Sequence, residues 1–368
     1  MKIGLLTIFK STNYGAVLQA YATKKAFSKY GEVKLINYNT SYLSNTFKLL
    51  RFNFSVHGIK MLVHDLLRLP YSLSLFYKFK VFIRNNLSPT KPFTQKELAH
   101  GKAKEFKVLV CGSDQIWNPD VVNKDGEFDA TYYLSFGTKE QKKISFASSI
   151  GHHIFTTKEK AIVKDVLNDF SNISIREKDG VAKIKEVFPN RKVAHINDPT
   201  LLLSKEEWLE TFHIQEDKNA EDYILVYSVP HSDLMKKAVK YFSEKFKIKV
   251  VSIDKMLLSF TKTDKQVRNA GPKEFLKLFA DAKFVITDSF HGTCFSVNFA
   301  KPFVTISPGK KSNRISSLLS ILELEQHLVS SEKEFESIAP SLDYKTAHVA
   351  LENIRKESKQ FIKEAMES

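Results

Sequence analysis

At 368 residues the chain is long for one hydrophobic core and suits two domains of ordinary size. Its 43% hydrophobic and 26% charged residues exclude a disordered chain, and no uninterrupted apolar stretch approaches the roughly 18 residues of a membrane span. The formal net charge of +15 points to an anionic partner, either a membrane surface or a substrate, or else to a lysine-rich background with no partner at all. Nucleic acid is set aside, because no helix-turn-helix, zinc-finger or RNA-recognition signature is present and the basic residues are spread along the chain.

Two cysteines, Cys111 and Cys294, build no disulfide framework, and both lie in apolar runs. Buried free thiols in a reducing compartment are expected. The opening "MKIGLLTIFK" is too short an apolar run for a signal peptide, so the expected location is cytoplasmic.

In chain order, apolar runs of strand length recur: "IGLLTI", "VKLINY", "FKVLVCG", "KISFASSI", "VAHIND", "YILVYSV", "IKVVSI", "KFVITD" and "PFVTIS". Most are continuous rather than alternating, the pattern of strands buried on both faces of a parallel sheet. Between them lie helical segments such as "GAVLQAYATKKAFSKY", "SDLMKKAVKYFSEKF" and "PKEFLKLFADA". The alternation predicts an α/β protein, and it runs twice. We therefore expect two Rossmann-like domains with mainly parallel sheets, residues 1–205 and 206–340. A C-terminal helix over 341–368 is expected to pack back across both.

One segment breaks the rhythm. Residues 47–91 mix Lys48, Arg51, Lys60, Arg68, Lys78, Lys80 and Arg84 with many Phe, Tyr and Leu, and their one acid is Asp65. The pattern fits an amphipathic element at an anionic membrane surface, or an ordinary helical insertion with a solvated basic face.

In open α/β sheets ligands bind beyond the carboxyl ends of strands, so residues just after the apolar runs carry the chemistry. After the first strand, "KSTNYGAVLQAYA" places Asn13, Gly15 and Gln19 at a helix start suited to a polar or anionic ligand. It is neither a dinucleotide fingerprint nor a phosphate-binding loop. In "VLVCGSDQIWNPD", Ser113, Asp114 and Gln115 precede Trp117, as in a sugar subsite where hydroxyls meet a carboxylate and a ring stacks on an indole. The competing reading is an Asx turn beside a structural tryptophan. In "NISIREKDG", Arg176 at a strand end suits a carboxylate or phosphate, or a structural ion pair.

The stretch "VITDSFHGTCFSVNFAKPF" puts Asp288 and Ser289 at a helix N-cap and His291 in its first turn. A helix N-terminus disfavours imidazolium unless a bound anion reverses the field, so an arriving anion would poise His291 as a general acid; the competing reading is a hydrogen-bonded structural histidine. Further on, "SPGKKSNRISSLL" supplies Lys310 and Arg314. No metal-ligand cluster is evident, since His152 and His153 are adjacent and suit a loop.

Taken in order, "NYGAVLQAYA", "GSDQIWNP", "ISFASSIG", "SIREKDG", "INDPTLLL", "TDSFHGTCFSVNFAKPF" and "NRISSLL" resemble the polysaccharide pyruvyl transferase family over nearly the whole chain. The resemblance implies a GT-B-like fold, two Rossmann-like domains facing across a cleft. It implies phosphoenolpyruvate as donor, with no other cofactor. The acceptor would be a sugar in a cell-surface polysaccharide, an exopolysaccharide or capsule, or its lipid-linked oligosaccharide precursor. The product would be a pyruvate ketal. His291 falls on the family's functional histidine and Arg176 on its donor-contacting arginine. Where many members have Arg-Leu-His, this chain has Ser289, Phe290 and His291, so Ser289, Lys310 and Arg314 join the expected donor set. Asn13, Gly15, Gln19, Ser113, Gln115 and Trp117 make the expected acceptor set, with Asp114 as base or hydroxyl orienter. The basic insertion would bring the enzyme to the inner membrane face. Two alternatives stay open: a glycosyltransferase using a nucleotide-sugar, and a carbohydrate-binding assembly protein without turnover.

Overall fold

The structure, a computed structural model, describes residues 1–40, 49, 56–217, 219, 221–309 and 312–368, with residues 56–60 described as backbone alone. The chain forms two compact units. Unit 1 comprises residues 1–46, 81–202 and 353–368, and unit 2 comprises residues 47–80 and 203–352.

The sheet of unit 1 is built from β1 (Lys2–Leu6), β2 (Glu32–Leu35), β3 (Val108–Cys111), β4 (Lys142–Ser148), β5 (Phe170–Ile175) and β6 (Val193–His195). Every pairing is parallel, in the order β2-β1-β3-β4-β5-β6. Single parallel bridges from Leu35 to Pro89 and from Tyr38 to Phe93 extend the β2 edge. Unit 2 repeats the plan with β7 (Tyr223–Tyr227), β8 (Lys249–Ile253), β9 (Lys265–Val267), β10 (Phe284–Thr287), β11 (Phe303–Ile306) and β12 (Leu328–Val329), ordered β12-β11-β10-β7-β8-β9.

Helices link the strands: α1 (Tyr14–Phe27), α2 (Val56–Asn86), α3 (Gln95–Ala99), α4 (Pro119–Val122), α5 (Thr157–Asn168), α6 (Lys178–Val187) and α7 (Lys205–Phe212), then α8 (Asp233–Phe246), α9 (Pro272–Asp281), α10 (Phe290–Asn298), α11 (Asn313–Ile321) and α12 (Lys345–Glu367). Parallel strands require such crossovers, and helices on both sheet faces explain why the strands read as unbroken apolar runs. In β10, Phe284 and Ile286 join a core with Met235, Val239 and Phe242 of α8. Its other face carries Val285 and Thr287, also fully buried.

The units divide between Leu202 and Leu203. The insertion divides differently from the expectation, since residues 47–80 group with unit 2 rather than unit 1. Packing explains this: Ser74 accepts a hydrogen bond from Asn269 Nδ2 (3.1 Å), and Lys78 pairs with Glu274 (2.5 Å). α12 is shared, residues up to 352 belonging to unit 2 and the rest to unit 1. Its second half packs Phe361 against Phe146 of β4, with ring centroids 6.1 Å apart, while Lys142 Nζ donates to the Ala365 and Ser368 carbonyls.

Candidate active site

A sheet's crevice opens where successive crossovers leave in opposite directions. In unit 2 that point lies between β7 and β10, because β8 and β9 extend to one side and β11 and β12 to the other. Beyond β10 the chain must turn into α10 with no room to spare. A Cβ on Gly292 would sit 2.1 Å from Thr287 Oγ1 and 3.1 Å from the Tyr227 ring, so glycine is required for the helix to close on the strand.

Ser289 caps α10, its hydroxyl accepting from the Gly292 amide (3.4 Å), and the Ser289 amide in turn donates to Thr287 Oγ1 (3.1 Å). The Ser289 hydroxyl therefore serves the helix start. Asp288 bridges the crevice: its carboxylate accepts from Ser228 Oγ (2.6 Å) and from the Val229 amide (2.7 Å), both just after β7. Burial pushes the Asp288 carboxyl above its ordinary value, and those bonds offset only part of the effect.

His291 occupies the first turn of α10, 7% exposed, with its ring edge-to-face on Phe290 at 5.3 Å. The Arg314 guanidinium, from the start of α11, lies over that Phe290 ring at 5.2 Å. A cation over the face of an aromatic ring and an imidazole set edge-to-face with it thus form one cluster at the crevice of unit 2. Lys310 lies outside the described residues. A second imidazole, His231, follows β7 with φ 60° and stacks on Phe260 at 4.3 Å. Its signal was available in "YSVPHSD", a histidine immediately after a strand run.

In unit 1 the reversal lies between β1 and β3. Thr7 Oγ1 donates to the Ser113 carbonyl (2.7 Å), tying the two strand ends together. Gln19 lies fully buried beneath them, its amide donating to Thr7 Oγ1 (2.9 Å), the Ile8 carbonyl (3.2 Å) and the Ala16 carbonyl (2.9 Å). Gln19 is thus a clamp for the β1–α1 turn rather than an exposed acceptor contact. Gly15 is buried in the first turn of α1, and Asn13 caps that helix from an exposed position.

Trp117 also departs from expectation. It is 1% exposed, with one face stacked on Tyr133 at 4.7 Å and its Nε1 donating to the Tyr132 carbonyl (3.0 Å) and Cys111 Sγ (3.1 Å). The indole is a core residue, because the apolar strand end before it has an aromatic layer to fill. Ser113 is buried as well, while Gln115 is half-buried with its Oε1 accepting from Asn118 Nδ2 (3.1 Å).

Asp114 takes φ 70°, a left-handed conformation unusual for a residue with a side chain. It sits 3.8 Å from Arg176. Arg176 Nη1 donates to Asp198 Oδ2 (2.6 Å), and its Nε lies 3.9 Å from Glu177 Oε2. Asp198 also caps the turn after β6 through Thr200, and Glu177 accepts from the Gly151 amide (2.6 Å). Burial opposes the Arg176 charge, yet Asp198, Asp114 and Glu177 outweigh it and hold the guanidinium above its ordinary pKa. The arginine expected to grip a donor anion is therefore engaged with the chain's own carboxylates, gathered from the ends of β3, β5 and β6. The roles of Glu177 and Asp198 were missed in the sequence, though "SIREKD" and "INDPT" place an acid two and three residues past a strand end.

Beside the β1 end, a small pocket open to solvent is lined by Thr7 to Lys10, Tyr38 to Thr40 and Tyr132, among others. Tyr38 Oη donates to Asp129 Oδ2 (2.8 Å), which fixes the pocket wall. Among the described residues, no group of three His, Cys, Asp or Glu is placed to hold a metal ion, and no helix is long and apolar enough to cross a membrane.

No curated protein matches this chain in sequence. Among solved structures, the UDP-GlcNAc 2-epimerase of Methanocaldococcus jannaschii, in complex with UDP-GlcNAc and UDP, is similar at TM-score 0.51 and 12% identity, over 97% of this chain and 99% of that one. The UDP-GlcNAc 2-epimerase of Neisseria meningitidis bound to UDP-GlcNAc is similar at TM-score 0.50 and 10% identity, over 99% of each chain. These likenesses carry the fold alone, a GT-B-like α/β architecture of two parallel-sheet units. Sequence carries the family: the model described as polysaccharide pyruvyl transferase matches residues 13–310, and the chain belongs to the polysaccharide pyruvyl transferase family.

Proposed function

We propose that this transferase moves the enolpyruvyl group of phosphoenolpyruvate onto two hydroxyls of one sugar in a polysaccharide or its lipid-linked precursor, closing a pyruvate ketal. The observation that carries the reading is the cluster of Arg314, Phe290 and His291 at the helix start beyond β10. Anion, proton donor and helix dipole belong together in this reaction.

His291 gives a proton to the enol methylene carbon. The adjacent carbon becomes electrophilic and takes the first sugar hydroxyl, whose proton passes to a base. Breaking the carbon–oxygen bond to phosphate and attack by the second hydroxyl, whose proton leaves with the phosphate, complete the ketal. One phosphate leaves for each ketal formed. Arg314 supplies the cation that Ser289 does not, holding the donor carboxylate or phosphate. Asp114, buried and in a left-handed conformation, is the group we assign to the acceptor hydroxyls. Arg176 we assign to holding Asp114 in place.

The test is incubation with phosphoenolpyruvate and a panel of sugar acceptors. Phosphate release that depends on the acceptor is expected, and His291→Ala should lower kcat at least about 100-fold. A second reading, glycosyl transfer from a nucleotide-sugar, draws on the nucleotide-sugar complexes of the fold neighbours. Release of nucleoside diphosphate from such a donor, with phosphoenolpyruvate untouched, would replace the first reading by the second.

A further inference from the structure

Twelve large hydrophobic side chains are exposed among the described residues, and six of them lie on α2: Val63, Leu66, Leu67, Tyr71, Leu73 and Tyr77. At about 100° per residue, positions 63, 66, 70, 73, 77 and 80 fall on one stripe. That stripe reads Val63, Leu66, Pro70, Leu73, Tyr77 and Lys80, all exposed, with Tyr77 at 70%. Asp65, Leu75 and Phe79 mark the opposite face and are buried. The helix thus has two apolar faces, and unit 2 covers only one.

The patch continues beyond α2. Arg268 lies over the Tyr71 ring at 4.9 Å and donates to the Leu257 carbonyl (2.7 Å). Next to Leu257, Met256 and Leu258 are exposed, Leu258 at 76%. Two elements of unit 2 therefore present apolar side chains around an arginine. A patch of this kind on a folded chain marks a surface for a partner.

Charge selects the partner. On α2 the stripe ends in two exposed cations, Lys80 and Arg84, while the one acid of the helix, Asp65, is buried on the covered face. Lys78 has Glu274 as its counter-ion, whereas Lys80 is exposed on the stripe itself. A second copy of the chain would set these cations against themselves. An anionic lipid surface meets both features, taking the apolar stripe below its headgroups and the cations among them.

We propose that the exposed stripe of α2, with the Met256–Leu258 loop, docks this protein on an anionic membrane. This goes beyond the transfer reaction and does not depend on which donor is used. The experiment is co-flotation of the full chain with vesicles of phosphatidylglycerol and phosphatidylcholine in equal parts, and with vesicles of phosphatidylcholine alone, at low and raised salt. Binding to the first, weakened by salt and weak on the second, is expected. The triple variant Leu66→Gln, Leu73→Gln, Tyr77→Gln alters exposed residues, so its melting curve should match that of the unaltered chain. Its vesicle partition should fall at least about 100-fold while turnover on a water-soluble acceptor stays unchanged.

Failure of the unaltered chain to float with anionic vesicles would overturn the proposal. So would equal binding by a folded triple variant. A dimer that the triple variant converts to monomer, with no vesicle binding by either, would assign the stripe to a second copy instead.

Discussion

Replacing Arg176 by methionine separates a structural arginine from a donor ligand. The substitution keeps most of the side-chain volume and removes the charge. Glu177 and Asp198 are at most 2% exposed, and Asp198 lies 2.6 Å from the guanidinium it would lose. Breaking a buried ion pair from one side costs about 3–5 kcal/mol, because the remaining charge keeps its desolvation penalty. For a unit of this size each kcal/mol moves the melting point by about 2–4 °C, so a fall of about 10 °C is expected in unit 1. The chain's two tryptophans report separately, Trp117 from unit 1 and Trp208 from unit 2. In a Trp208→Phe background, Trp117 fluorescence follows unit 1 alone. Adding Asp198→Asn to Arg176→Met should recover part of the loss, since both partners of the shortest contact are then neutral. An Arg176→Met protein that melts within about 3 °C of its parent would refute the network account. If it also showed a raised KM for phosphoenolpyruvate, the arginine would return to the donor set.

Other outcomes test separate parts of the molecule. Gly292→Ala should cost unit 2 about 1–3 kcal/mol by forcing a Cβ into Thr287, read as an earlier Trp208 unfolding transition; an unchanged midpoint would contradict the close packing. Arg314→Ala should raise the KM for phosphoenolpyruvate at least about tenfold, with Arg314→Lys recovering part of it, and an unaltered KM in both would remove Arg314 from the donor site. His327 is buried against Phe303 with Nδ1 2.9 Å from the Phe303 carbonyl oxygen, and burial lowers its pKa from 6.5. The folded state then binds fewer protons than the unfolded one below pH 6.5, so the stability due to this group is complete above that value and is lost as pH falls beneath it. Denaturant midpoints measured across that range should slope downward with acid in the parent and flatten in His327→Gln.

The fold was legible because parallel strands buried on both faces must be apolar throughout. "YILVYSV" and "KFVITD" therefore announce β7 and β10 without help from any other segment. The edge strands β9 and β12 were not legible. Lys265–Val267 reads as polar and Leu328–Val329 spans two residues, too short for a period to show. Placing chemistry after strand ends led to His291, Asp114 and Arg176 as candidates. Deciding which polar groups face a ligand was beyond that rule. Gln19 and Trp117 stand at suitable positions in the sequence, yet each is turned inward by a partner remote from it in the chain: Thr7 for the amide, Tyr133 for the indole. Arg176 shows the same limit, because Asp198 approaches from 22 positions away.

The division of α12 bears on how the protein is made. A growing chain holds all six strands of the first sheet once His195 has emerged, but Phe146 then waits for Phe361 to arrive. At typical synthesis rates that delay is on the order of ten to thirty seconds. The unit begun first is finished last, and for that interval Phe146 has its Phe27 neighbour but not yet Phe361.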